Sequence, residues 1–291
     1  MTIGIGMICR DGVLLGADTE VTGWSSKTHE EKIITFECPY GKIGFVMAGN
    51  GVFAQSAIQK CQAGLRATPP ERTIDKIEKI LEREYRRHVF QHPSYATDPS
   101  LGYQFLIAFW STNGSVSLFS TNQTAIRKVN GFECIGIGSD LASYLVLPMF
   151  YEGMADAEAL YIAIYALARV KDSIVGCGGT SIFTNIRARD GNIGTLTTNH
   201  EGPCKEIEEY ARAFDSTVHR LLLWMAATNM EEHDFVANVT EDFNQEILGI
   251  RSRWKASYEM RVRKLAEANP TFAPERIREI AHKLATRGWI D

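Results

Sequence analysis

Thr2, Asp18 and Lys32 are the residues of this chain whose types and positions best suit chemistry. A hydroxyl is a poor nucleophile unless a base sits beside it. A threonine at the very N-terminus brings its own base, because its α-amine lies two bonds from the carbon that bears Oγ. That amine titrates near ~8, against ~10.4 for lysine, so a useful fraction is neutral at physiological pH. It can therefore take the hydroxyl proton and return it to a leaving amine. The requirement is strict, since Met1 blocks the amine until it is removed. A small second residue such as Thr2 is one from which an initiator methionine is commonly removed.

The surroundings give the threonine its weight. Asp18 closes the apolar run Leu14-Leu15-Gly16-Ala17, where a carboxylate needs a partner. Lys32 opens the next strand in Glu31-Lys32-Ile33-Ile34. Paired, the two would place a fixed cation near Thr2, lowering nearby proton affinities and stabilising developing negative charge. A purely structural ion pair is the alternative. Gly49, in Met47-Ala48-Gly49, offers a backbone N–H at a strand end, the kind of donor an oxyanion hole uses. Other catalytic signatures are missing: there is no G-x-S-x-G elbow, no H-E-x-x-H and no P-loop lysine. Gly136-Ile137-Gly138 hints at a dinucleotide fingerprint, but Leu141 stands where the third glycine belongs, so a tight strand-to-helix turn is expected instead. The histidines form no metal-ligand spacing, and no cofactor or metal is expected.

The elements that must position these residues follow from pattern. Ile3–Cys9 and Val13–Ala17 read as strands joined by Arg10-Asp11-Gly12, an Asp-Gly hairpin signal. A polar stretch, Thr19–Glu31, leads to strands Lys32–Phe36 and Lys42–Ala48. A helix follows, with Phe53, Ala57, Ile58, Cys61 and Leu65 at helical spacing, and then a second over Ile74–His88. Strands are expected at Tyr103–Ser111, Ser115–Thr121 and Phe132–Ile137, with a third helix from Ser139. Asp156 reads as the N-cap of a fourth helix running to about Asp172. Gly176–Gly179 then turns into a last hairpin, Ser181–Arg187 and Asn192–Thr197. Beyond Glu201, amphipathic helices are expected over Lys205–Met230, Glu241–Glu267 and Pro274–Arg287, with clustered base from Arg251 to Lys264. That base reads as a salt-bridged surface or as a docking face for a partner or a neighbouring subunit.

Bulk properties narrow the classes. The 291 residues are 45% hydrophobic and 23% charged, enough for a sizeable core. A net charge of −4 recruits neither nucleic acid nor an anionic membrane, both of which want a basic face. Six scattered cysteines without a C-x-x-C pair fit reduced thiols in a cytosol. No basic n-region or apolar h-region follows Met1, so no export leader is expected, and apolar runs reach about half the ~20 residues of a membrane span. A soluble cytoplasmic protein is the expectation.

At these residues the chain resembles the proteasome β-subunit family of N-terminal-nucleophile hydrolases. The similar motifs are T-I-G-I-G-M-I-C-R-D-G-V-L-L-G-A-D at 2–18, E-K-I-I at 31–34, M-A-G at 47–49, I-G-I-G-S-D at 135–140 and K-D-S-I-V-G-C-G-G-T-S-I at 171–182. The resemblance implies an α+β fold, a four-layer αββα sandwich over residues 1–200. A helical C-terminal extension over 201–291 would pack on it or on a neighbouring subunit. It implies Thr2 as nucleophile and base, Asp18 and Lys32 as the charged pair and Gly49 as oxyanion donor. Ser139 would help hold the amine or simply cap its helix, and Asp172 would be a second aspartate. Val21, Thr22, Glu30, Ile34, Met47 and Gly51 would line the substrate pocket, which suits apolar or basic side chains.

The implied activity is threonine-type peptidase or amidohydrolase action on peptide or protein substrates. It would take place in a homo-oligomeric ring that an ATPase partner could feed. Departures are specific. The segment between Asp18 and Lys32 is about two residues short, and Glu20 stands where an arginine is frequent. Asp172 lies two residues further than expected from the glycine pair, Cys177 replaces a usual serine, and the propeptide is missing, as in bacterial-type members. A noncatalytic proteasome-like assembly protein and an N-terminal-nucleophile amidase for small molecules are the alternative readings.

Overall fold

The computed structural model describes residues 2–22, 27–66, 72–95, 97–199 and 203–225, with isolated positions between 240 and 267. Two compact units divide the chain, Met1–Lys205 and Glu206–Asp291. Within the first, β1 (Ile3–Cys9) and β2 (Gly12–Asp18) form the expected hairpin, with Gly4 opposite Ala17 and Cys9 opposite Gly12. β3 (Glu20–Thr22) and β4 (Lys27–His29) make a short separate ribbon. β5 (Ile33–Cys38), β6 (Gly41–Gly49), β7 (Tyr103–Ser111), β8 (Val116–Asn122) and β9 (Ala125–Val129) form one antiparallel sheet in chain order. β10 (Phe132–Gly136), β11 (Ser181–Arg187) and β12 (Ile193–Thr197) complete the other, in the order β10-β1-β2-β11-β12.

Helices cover both outer faces. α1 (Gly51–Gly64) and α2 (Thr73–Tyr85) lie on β6, β7 and β9, whereas α3 (Ser139–Val146) and α4 (Asp156–Ser173) lie on β1, β2, β10 and β11. The result is a four-layer αββα sandwich. Val13, Leu15, Ala17, Val46, Leu106 and Leu118 fill the space between the sheets. Phe36, Phe45, Met47, Ile58, Ile77 and Phe105 fill the layer beneath α1 and α2.

Burial on both faces explains the unusual opening strand. Ile3, Ile5 and Met7 are fully buried, and so are the intervening positions 4 and 6. A Cβ at Gly4 would fall 2.6 Å from Val46 Cγ1, and one at Gly6 3.0 Å from Leu118 Cδ1. The two glycines therefore let the second sheet approach β1, and the run shows no polar alternation because neither face meets water.

Several expectations need correction. The polar stretch after Asp18 holds β3 and β4, whose short ribbon offers no apolar alternation to read. β9 was not expected either: four of its five residues are exposed or half-buried, so only Val129 signals a core. α2 stops at Tyr85 and continues as one π-helical turn, Arg86–Phe90. Asp156 is the first residue of α4, not its cap. Ala155 takes the cap position, its N–H bonded to Glu158 Oε2 at 2.9 Å, while buried Asp156 accepts from Asn185 Nδ2. α5 (Pro203–Met225) starts two residues before the expected Lys205. The helices expected over Glu241–Glu267 and Pro274–Arg287, with their basic cluster, lie almost wholly outside the described residues. No helix among the described residues is long and apolar enough to cross a membrane.

The close approach at β1 is testable. Gly4→Ala forces Val46 aside and should lower stability by about 1–3 kcal/mol, the usual cost of overpacking a dense core. Urea denaturation measures it, and an unchanged midpoint would contradict the packing described.

Candidate active site

Asp18 ends β2 where the sheet opens, and three donors converge on its carboxylate. Lys32 Nζ donates to Oδ1 at 2.8 Å, the Ile3 backbone N–H to Oδ1 at 3.1 Å, and the Gly178 N–H to Oδ2 at 2.9 Å. Asp18 is fully buried and Lys32 is 3% exposed, so both charges sit in low dielectric. Burial pulls the Lys32 ammonium below the usual lysine range, and the Asp18 charge and hydrogen bond oppose that pull. Lys32 also donates to the Glu20 carbonyl oxygen, which fixes its head group at a second point.

The Ile3 hydrogen bond ties the residue after Thr2 directly to this pair. Thr2 itself is buried, and its carbonyl faces Gly136, where a Cβ would fall 2.2 Å from Thr2 O. Gly136 has φ +93°, a conformation that glycine adopts without steric cost. The same missing Cβ would sit 3.4 Å from Ala48 Cβ, so the end of β6 reaches the Thr2 backbone. Gly49 follows at φ +93°, exposed, where a Cβ would fall 2.3 Å from Gly102 O. The Gly136-Ile137-Gly138 segment is thus a strand-to-helix turn against Thr2 and Ile3. A Cβ at Gly138 would meet Ile3 Cβ at 3.2 Å and Cys177 Sγ at 3.3 Å.

The remaining candidates divide. Ser139 is the half-buried first residue of α3, and Gly138 occupies the cap position that the sequence suggested for the serine. Asp172 is exposed in the last turn of α4. The Gly176–Gly179 turn is what reaches the pair from that side, through the Gly178 N–H. Among the pocket candidates, Met47 is buried beneath α1 and Ile34 packs on the same cluster. Val21 is half-buried and Thr22 ends β3, while Glu30 is exposed, its Oε2 3.9 Å from where a Gly51 Cβ would stand.

The sequence assigned no place at the site to three features, two of them noted only as departures from the family pattern. Cys177 is buried beside the pair; burial, then the Asp18 charge, push its thiol up to about 11, so it stays protonated. Glu20 is buried against Gly178. A cleft of about 350 Å³ opens one residue beyond Asp18 and one before Lys32, lined by Thr19, His29, Glu30, Glu31, Thr180 and Ile182 among others. The glycine pair at 178–179 was a visible signal for the first two, since it permits close approach of a neighbouring side chain.

Comparison with known proteins agrees with this fold. The sequence profile described as Proteasome subunit matches residues 2–183. No curated protein sequence matches the chain. Among solved structures, the Anbu (Gly-1) mutant from Hyphomicrobium sp. strain MC1 superposes with a TM-score of 0.64 at 12% identity, covering 80% of this chain and 99% of that one. Anbu (ancestral beta-subunit) from Yersinia bercovieri gives 0.61 at 14% identity, covering 79% and 99%. The Anbu complex of Pseudomonas aeruginosa, solved as a helical assembly, gives 0.61 at 13% identity with the same coverages. At such identities these likenesses speak for the fold alone.

Removing one partner of a buried pair leaves an uncompensated charge. Asp18→Asn should therefore destabilise the first unit by about 3–5 kcal/mol. The double variant Asp18→Asn/Lys32→Met should recover part of the loss. Denaturant titration reads both, and a loss below about 1 kcal/mol for Asp18→Asn, typical of exposed pairs, would refute the burial argument.

Proposed function

Because the chain belongs to the proteasome subunit family, we propose that it is an N-terminal threonine hydrolase that cleaves peptide bonds once Met1 is removed. The observation that carries the reading is the single carboxylate of Asp18, which holds both Lys32 and the backbone of the residue following Thr2. A nucleophile must be held still beside its electrostatic partner, and this arrangement does both with one group.

In this reading Thr2 Oγ attacks the substrate carbonyl carbon while the Thr2 α-amine takes the hydroxyl proton. The Gly49 N–H receives the negative charge that develops on the carbonyl oxygen. The amine then gives its proton to the leaving nitrogen, the C–N bond breaks, and an ester to Thr2 remains. Water, deprotonated by the same amine, hydrolyses the ester and restores the hydroxyl. Lys32 stays charged, keeping the proton affinity of the amine low enough to act as a base. Ser139 helps to hold that amine. Asp172, exposed in the last turn of α4, is given no step of its own in this scheme.

In this proposal Val21, Ile34, Met47 and Gly51 line a mainly apolar wall for the side chain preceding the scissile bond, with Thr22 next in the chain at the end of β3, and Glu30 supplies one acid at its rim. Apolar and basic side chains both suit such a wall. The Pseudomonas aeruginosa relative forms a helical assembly, and a homo-oligomer of this chain is proposed in the same spirit, with an ATPase partner as feeder. A reducing cytoplasm suits its six unbridged cysteines.

Intact-mass measurement before and after a threonine-directed covalent inhibitor tests the proposal. The expected result is a protein lacking Met1 that gains one adduct, with the adduct and peptidase activity both lost in Thr2→Ala, the activity by 10³-fold or more. Retained Met1 and no adduct would establish the noncatalytic assembly reading instead. Light scattering separates the other alternative: a large particle fits a peptidase chamber, whereas an active monomer or dimer fits a small-molecule amidase.

A further inference from the structure

The acid at position 20 interrupts an otherwise expected pattern, and the fold gives it a defined place. Glu20 opens β3 directly after the site, opposite His29 of β4. Its side chain is not turned to solvent: the residue is 6% exposed. The carboxylate lies against the backbone of Gly178, where a Cβ would fall 2.3 Å from Oε2 and 3.1 Å from Cδ. A side chain at 178 would displace it, so the glycine is what lets the acid in. The Gly178 N–H is meanwhile donated to Asp18 Oδ2, at 2.9 Å. One peptide segment therefore separates two buried carboxylates.

Both acids also act on the same cation. Lys32 Nζ donates to Asp18 Oδ1 and to the Glu20 carbonyl oxygen, and the Glu20 N–H donates to Gly178 O at 3.2 Å. We propose that Glu20 is a positioning residue of the active site, a second anchor for Lys32 that supplies a carbonyl oxygen and adds a buried negative charge beside the Lys32–Asp18 pair. This deepens the hydrolase reading and rests on it only for its effect on activity.

The charge balance gives the arrangement a reason. Two carboxylates, Asp18 and Glu20, and one ammonium, Lys32, thus share a buried site. Removal of Met1 frees the Thr2 α-amine beside them, and that amine is the group that takes up a proton during attack. The other titratable groups that face the cluster are the Cys177 thiol from the α4–β11 turn and the His29 imidazole from β4, whose Nδ1 lies 3.4 Å from Thr19 Oγ1. Cys177 is neutral at working pH, and His29 is exposed, so neither replaces the Glu20 charge. The Glu20 charge favours the ammonium form of Lys32, against the burial that disfavours it. It also identifies the second carboxylate of the site as one from β3, while Asp172 remains at the surface.

The sign of the effect is fixed. Removing a negative charge beside an ammonium lowers the pH at which it loses its proton. In the full-length protein carrying ¹³Cε-labelled lysine, with the Lys32 signal assigned by its loss in Lys32→Met, Glu20→Gln should lower the Lys32 titration midpoint by about one pH unit. Glu20→Asp, which keeps the charge, should leave it within a few tenths, a rescue that a purely steric role would not give. The alkaline limb of the Thr2 labelling rate by the covalent inhibitor should move to lower pH in parallel in Glu20→Gln. If Glu20→Gln fails to fold, Glu20→Ser removes the same charge and should give the same shift. A Lys32 midpoint that does not move overturns the inference, as does normal labelling whose pH limb stays in place. Absence of Thr2 labelling in the unaltered protein would instead overturn the hydrolase reading, and the Lys32 midpoint would still decide the role of Glu20.

Discussion

The Asp18 carboxylate is the point on which the site depends. Its three donors come from three parts of the chain: the start of β1 at Ile3, Lys32 just before β5, and the turn after α4. A buried carboxylate is costly unless it is paired and hydrogen-bonded, and here each donor offsets part of that cost. The same bonds align the first strand of one sheet, the first strand of the other and the helix layer. Electrostatic satisfaction and geometric convergence are thus one requirement.

That requirement sets the packing around it. β1 can present Ile3 to Asp18 only if it lies deep between its neighbours, which is why both its faces are buried. The glycines along it admit Val46 and Leu118 from the second sheet, and Gly136 and Gly138 admit the turn that closes over Thr2 and Ile3. Gly49 and Gly178 serve the same end from the other side, each placing backbone where a side chain would intrude. A residue whose conformation must be fixed needs its strand immediately, and the ladder hydrogen bonds from Ile3 onward supply that rigidity.

Most of the architecture could be read from local patterns. The Asp-Gly turn located the first hairpin, and the spacing of Ala57, Ile58 and Cys61 located α1. Elements without an apolar signal were invisible, β3, β4 and β9 above all, because they are paired by backbone hydrogen bonds that any sequence can make. Asp156 misled for a related reason. A cap and a buried partner for Asn185 demand the same residue type, and only the opposing strand distinguishes them.

The sequence by itself determined the candidates: an N-terminal threonine behind one methionine, an acid that ends one apolar strand, a lysine that opens another, and a glycine at the end of a third. These are properties of residue type and short-range order, which local physics expresses fully. Only the tertiary structure decided which candidates meet. Asp18 and Gly178 are 160 residues apart along the chain yet share a hydrogen bond, and that contact brings Cys177 and Glu20 to the pair. Asp172, equally plausible by residue type, lies exposed in the last turn of α4, because the chain passes it before the Gly176–Gly179 turn reaches the pair.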